Sequence, residues 1–195
     1  MGPFSFVPFM ECYHGILSMN HQIEGKLIYK NEEIDFTNGK GYMEKDWGHS
    51  FPEAYTWMQS NHFTDPTVAL KTSVAKIPWM GNSFVGFIAG IYLNRQLIQF
   101  TTYNGSKLSK CAIDNEKVVL VIQNKKYRIE MHAKREDATS LPSPVSGFMD
   151  GKIEESMTSE IQVQLTDLKQ KRIIFEDIGR NACLEVAGKI SEIII

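Results

Sequence analysis

Residues 41–63, GYMEKDWGHSFPEAYTWMQSNHF, read as two β-strands broken by a turn. Glu44 and Asp46 are two apart, so on a strand they project from one face, while Met43, Lys45 and Trp47 take the other. Gly48 to Pro52 ends the run, because Pro52 has no N–H for a ladder and biases Phe51 toward extended backbone. From Tyr55 the alternation resumes. Tyr55, Trp57, Gln59, Asn61 and Phe63 fall on one side, and Thr56, Met58, Ser60 and His62 on the other. A face mixing large aromatics with amides suits a pocket lining better than a dry core, since ligand sites are largely apolar with a few orienting polar groups. Parity across the turn predicts that Trp57, Gln59 and Asn61 line a pocket opening on the face of Glu44 and Asp46.

Outward from this stretch, strand text continues in both directions. The runs are Cys12–Met19, Gln22–Tyr29, Glu33–Phe36, Gly41–Trp47, Ala54–Phe63, Val68–Lys76, Phe84–Leu93, Gln96–Thr102, Leu108–Asp114, Lys117–Gln123, Lys126–Lys134, Glu154–Thr166 and Arg172–Ala187. Turn signals separate several of them: residues 29–32 (YKNE), Asn38-Gly39, Asn94-Arg95, Asn104-Gly105 and Asn124-Lys125. Short strands in succession with little helical period predict an all-β antiparallel barrel or sandwich, with helix below about 15% of residues. Tyr127, Ile129 and Met131 are expected inward, with Arg128, Glu130 and His132 outward. Gly86 and Gly90, inside an apolar run, mark close approach by backbone or ligand, or a bulge. Residues 137–150, with Pro142, Pro144 and Gly147, read as an irregular flap over one end.

The chain has 195 residues, 43% hydrophobic and 23% charged, enough for one domain that buries roughly 70% of its unfolded surface. A net charge of −2 without a Lys/Arg cluster argues against nucleic acid. The basic stretch at 124–128 alternates with Tyr127 and Ile129 and reads as a solvated strand face. The 3 cysteines, Cys12, Cys111 and Cys183, are widely spaced and form no CxxC or zinc pattern, so reduced thiols in a cytoplasmic protein are expected. Cys12, beside Glu11 and near His14, could be a nucleophile, but buried structural thiols are far commoner. MGPFSFVPFM lacks the basic and apolar regions of a signal peptide, and Ile193-Ile194-Ile195 is too short to span a membrane. Glu11, His14, His21, His49 and His62 show no ligand spacing that indicates a metal, and none is expected.

GYMEKDWGHSFP followed by the W-x-Q-x-N-x-F strand resembles the signature of the tocopherol cyclase-like family. FVPFMECYHGILSMNH, IPWMGNSFVGFIAGIYL and GRNACLEVAG are similar to that family's other blocks, in order from about Phe4 to about Gly188. The resemblance implies lipocalin-like (calycin-type) β-barrels in tandem. This chain, residues 1–195, would form a single barrel domain, similar to the second barrel plus a linking N-terminal segment and extra strands. It also implies acid-catalysed cyclisation of a prenylated hydroquinone to a chromanol, with no cofactor. That reaction needs an acid for the double bond, groups that stabilise the tertiary cation, and a phenolic oxygen held over it.

Asp46 and Glu44 are the leading acids under this reading, because neighbouring carboxylates on one strand face raise each other's proton affinity. His49, next in the turn, would orient or reprotonate a carboxyl. Substrate would be held by Trp47, Trp57, Gln59 and Asn61, by Glu11 and His14 of the E-C-Y-H run, and by Asn181 and Glu185, four apart on one strand face. A solvated carboxylate face, ordinary barrel core and a loop histidine are the plain alternatives for the same residues. The implied partner is a hydrophobic small molecule, a prenylated quinol or other isoprenoid lipid. Peripheral membrane contact and a homodimer are the further partners considered. A carotenoid hydratase-like lyase and a non-catalytic lipid-binding barrel are the competing functions.

Overall fold

The structure is a computed structural model describing residues 1–195, and it is all-β and antiparallel. No α-helix is present, only 3-10 turns at Gly2–Phe6 and Ile190–Glu192. The strands are β1 (Cys12–Ile23), β2 (Lys26–Tyr29), β3 (Glu32–Asp35), β4 (Gly39–Gly48), β5 (Ala54–Ser60), β6 (Ala69–Trp79) and β7 (Asn82–Leu93). They continue as β8 (Gln96–Thr101), β9 (Lys107–Ile113), β10 (Lys117–Gln123), β11 (Tyr127–Lys134), β12 (Thr139–Val145), β13 (Phe148–Asp167) and β14 (Arg172–Gly188).

The main sheet runs β8-β7-β6-β5-β14-β13-β11-β10-β9, with β12 added on β13. The path is an up-and-down meander whose early strand β5 pairs with the last strand, β14. Between β8 and β9 no ladder forms, so the hydrogen-bonded ring is not closed. Near that seam the C-terminal Ile195 exchanges both backbone hydrogen bonds with Cys111 of β9 (2.9 and 3.2 Å). Ile193 is fully buried among the core residues.

Strict alternation sorts the side chains. Val118, Leu120 and Ile122 of β10, Ile129 and Met131 of β11, Ile161, Val163 and Leu165 of β13, Leu184 of β14, Met58 of β5 and Val74 of β6 form one buried cluster. Tyr127 packs against it, as its parity predicts, and His132 is exposed. Each of these strands gives every second residue to one dry interior. Gly90 marks no bulge, since the β6–β7 register is unbroken; what approaches it is the Leu97 side chain, 3.2 Å from where a Cβ would sit, rather than backbone.

Three expectations need correction. Residues 137–150 are not an irregular flap: β12 forms a hairpin with β13 through Ser146-Gly147, both at positive φ (51° and 88°). Such a turn matches the strand twist. Pro142 and Pro144 are accommodated because β12 pairs on one side only. Cys12–Met19 and Gln22–Tyr29 are not two strands split near Asn20. β1 runs to Ile23, with register shifts between Ile16 and Ser18 and between Ser18 and His21. β5 ends at Ser60 rather than Phe63. No helix is long and apolar enough to cross a membrane.

Candidate active site

β1 and β4 form a separate two-stranded sheet in which His14 lies opposite Asp46 and Ile16 opposite Glu44. This sheet covers the outer face of β14-β5-β6-β7, the face turned away from the dry interior. Between the two lies a crevice of about 140 Å³, open to solvent at its mouth. Tyr55 and Trp57 of β5, Ser73, Ala75 and Ile77 of β6, Gly86 and Ile88 of β7, and Glu185 of β14 line its floor. Cys12 and His14 of β1 and Glu44 and Asp46 of β4 line its roof. Phe4, Phe84 and Tyr103 wall one end, with Phe4 against Trp79 at 5.5 Å and against Phe84 at 5.8 Å between ring centroids. A Cβ on Gly86 would come within 2.9 Å of Ile77, so the floor needs glycine there.

One buried cation organises the polar end. Lys71, fully buried on β6, meets the His14 Nε2 and donates to Ser73 Oγ at 2.8 Å. Burial pulls its ammonium down to about 8, against the pull of Glu44 and Asp46. While charged, that ammonium can only donate, so Nε2 must accept and the proton sits on His14 Nδ1. Nδ1 then donates to Asp46 Oδ1 at 2.5 Å. Glu44 lies 3.6 Å from His14 Nε2 and accepts from the Tyr42 hydroxyl. Asp46 and Glu44 are therefore not the free like-charged pair expected of them. Each accepts a hydrogen bond from its own donor.

A second polar group stands on the floor. Tyr55, buried, donates to Glu185 Oε2 at 2.7 Å. Glu155 of β13 lies directly opposite Glu185 of β14. Burial pushes the Glu185 carboxyl up to about 7, opposed by the Tyr55 hydrogen bond and helped by Glu155, Glu44 and Asp46. Trp57, opposite Glu185 on β5, keeps its buried indole N–H without a partner.

The residues proposed from sequence divide accordingly. Asp46, Glu44, His14, Trp57 and Glu185 meet in the crevice. His49 does not line it, although Phe51 and Pro52 of the same turn do; its N–H donates to Glu11 O at 3.0 Å and its carbonyl accepts from Gly147 at 2.6 Å. Glu11 precedes β1 and serves that turn through its carbonyl. Trp47, on the outward face of β4, stacks on Tyr13 at 5.5 Å and is 46% exposed. Gln59 has the expected parity but is buried between its neighbours Lys71 and Cys183, with Nε2 unpartnered, and does not line the crevice. Asn61 lies past the end of β5 and donates to Lys40 O at 3.1 Å. Asn181 sits at positive φ (44°) beside an interruption in the β13–β14 register and meets His62 at 3.0 Å.

Sequence reading missed Lys71 and the Tyr42 and Tyr55 hydroxyls as members of the site. The one available signal for Lys71 was its parity with Ser73, Ala75 and Ile77. His14, Glu44 and Asp46 also bring ligand atoms within 4.8 Å of one another, a grouping the linear spacing hid. The Lys71 ammonium on the His14 ring already supplies a positive charge to that cluster.

Comparison with known proteins identifies the family. The family model for tocopherol cyclase-like proteins matches residues 1–188, and the chain belongs to that family. The chain is 23% identical over 192 residues to a protein of Zea mays named tocopherol cyclase, chloroplastic, covering 93% of this chain and 40% of that protein. It is 24% identical over 193 residues to a probable tocopherol cyclase, chloroplastic, of Oryza sativa subsp. japonica, with the same 93% and 40% coverage. The chain thus spans about 40% of the length of these curated relatives.

Proposed function

We propose that this chain carries a tocopherol cyclase-like activity, the acid-catalysed closure of a prenylated hydroquinone to a chromanol. One observation carries the reading: an apolar crevice brings Glu44, Asp46 and Glu185 together, with His14 of its roof held by the buried Lys71 ammonium. The prenyl chain would lie along Ile77, Phe84 and Ile88, and the quinol ring would face the polar end. The unpartnered Trp57 N–H offers a donor to a ring oxygen, and carboxylates with an aromatic face stabilise a tertiary cation. Membership of the family and the names of the relatives support the same substrate class.

The fold that goes with this reading is a lipocalin-like barrel forming a single domain. It is supported by a meander whose early and last strands pair around a filled interior. The three thiols are free, which fits a reducing compartment such as the cytoplasm.

Incubating the protein with a prenylated hydroquinone and identifying the product tests the function. Chromanol is the expected result. A tertiary alcohol would mean that water captures the cation, as in a hydratase. Tight binding with unchanged quinol would make the protein a carrier.

A further inference from the structure

We infer that Glu185, held by Tyr55, is the acid that protonates the alkene, and that the Asp46–His14 pair receives the phenolic proton. The inference deepens the cyclase reading and rests on it. Three features of the crevice point to this division of labour.

First, Glu185 stands on the floor opposite Trp57 and is half-buried, whereas Asp46 stands on the roof and is exposed. An acid that protonates a hydrocarbon must reach it where water does not. Second, Glu155 directly opposite makes a second negative charge at this point of the β13–β14 ladder unfavourable, which favours the neutral carboxyl. The Glu185 carboxyl at about 7 fits an acid that keeps its proton near neutrality. Third, Tyr55 donates to Oε2, which leaves Oε1 to carry the proton and fixes the carboxyl plane. Asp46, by contrast, already accepts from His14, so its remaining lone pairs suit a base.

The step balances without an oxidant or reductant. Glu185 gives its proton to the CH carbon of the trisubstituted double bond, which becomes CH2, and the adjoining carbon becomes a tertiary cation. The phenolic oxygen attacks that carbon, a C–O bond forms, and its O–H bond breaks toward Asp46. Asp46 then releases its proton to solvent at the mouth of the crevice and Glu185 takes one back, so the enzyme is restored and the net change is isomerisation.

The test measures chromanol formation against pH for the parent, Glu185→Gln and Tyr55→Phe. Binding of a saturated, unreactive prenyl quinol and thermal midpoints are measured alongside. If the parent makes no chromanol, the cyclase reading fails and this assignment with it. Given an active parent, kcat/KM should fall tenfold per pH unit above about 7. Glu185→Gln should lose about 10²–10⁴-fold in rate while binding the saturated quinol within about twofold. Removing the Tyr55 hydroxyl takes away the hydrogen bond that favours the charged carboxylate, so Tyr55→Phe should move the alkaline limb to higher pH. That displacement, which a purely structural tyrosine would not cause, also decides the matter should Glu185→Gln fail to fold. Parent-rate cyclisation by Glu185→Gln, or an alkaline limb unmoved in Tyr55→Phe, overturns the proposal.

Discussion

The two faces of β5 are one residue apart and chemically unlike. Ala54 and Met58 point into the meander, where they join a buried cluster of aliphatic, aromatic and sulfur side chains. Tyr55 and Trp57 point the other way, into a crevice with a buried lysine, a carboxyl lifted toward neutrality and an indole N–H without a partner. A close-packed interior leaves little room for a ligand, and its burial supplies stability instead. The outer face holds polar groups at a cost in desolvation, and such groups mark chemistry more often than folding. In this chain the buried interior of the meander is the scaffold, and the candidate site lies against its outer face.

The two faces should therefore fail differently. The largest effect is expected at the roof of the crevice: Asp46→Asn should reduce chromanol formation by about 10²–10⁴-fold while ligand affinity and thermal midpoint stay near parent values. If Asp46→Asn cyclises at the parent rate, the polar end takes no part in proton transfer. In the interior the pattern inverts. Leu120→Ala should cost about 2–5 kcal/mol in urea unfolding, with activity per folded molecule unchanged. A loss of turnover in the still-folded variant would place the site inside after all.

The pH dependence of folding sharpens the contrast. Glu185 holds its proton more tightly folded than unfolded, so the folded state binds the extra proton between about pH 4.5 and 7. Its contribution is fully present below about 4.5 and is lost as the pH rises through about 7. Glu185→Gln should remove a decline of about 3 kcal/mol across that window, at roughly 1.4 kcal/mol per pKa unit. Lys71 has the opposite sign of linkage. The unfolded chain binds its proton more tightly, so stability should rise between about pH 8 and 10.5, and Lys71→Met should flatten that rise. Urea midpoints across both windows check the pair. The smallest effect belongs to the outward face of β4, where Trp47→Ala should cost about 0.5–1.5 kcal/mol through its lost stacking on Tyr13 and leave turnover alone.

Strand parity made much of this legible. The face of Glu44 and Asp46, the inward set of β11 and the turn at Asn94-Arg95 follow from periods and turn residues within single strands. What escaped was carried by pairing between strands. His14 reaches Asp46 only because β1 and β4 lie antiparallel in one register, and Lys71 is buried only because that sheet covers β6. Parity also assigns a face without saying what covers it. Gln59 shares its face with Trp57, yet it is sealed beside Lys71 and Cys183 rather than opened to the crevice. Parity sets Trp47 opposite Glu44 and Asp46, and the structure keeps it there, stacked on Tyr13 and outside the crevice. His49 lies outside the crevice lining, and no period could have placed it, because an isolated loop side chain carries none.

Isoleucine methyl groups lie on both faces and can report directly which one takes the ligand. Ile77 and Ile88 line the crevice, whereas Ile122, Ile129 and Ile161 are sealed in the interior. Titrating a prenylated hydroquinone into protein labelled at isoleucine δ-methyls should shift the signals of Ile77 and Ile88 and leave those of Ile122, Ile129 and Ile161 in place. Saturable shifts confined to the interior set would contradict the account.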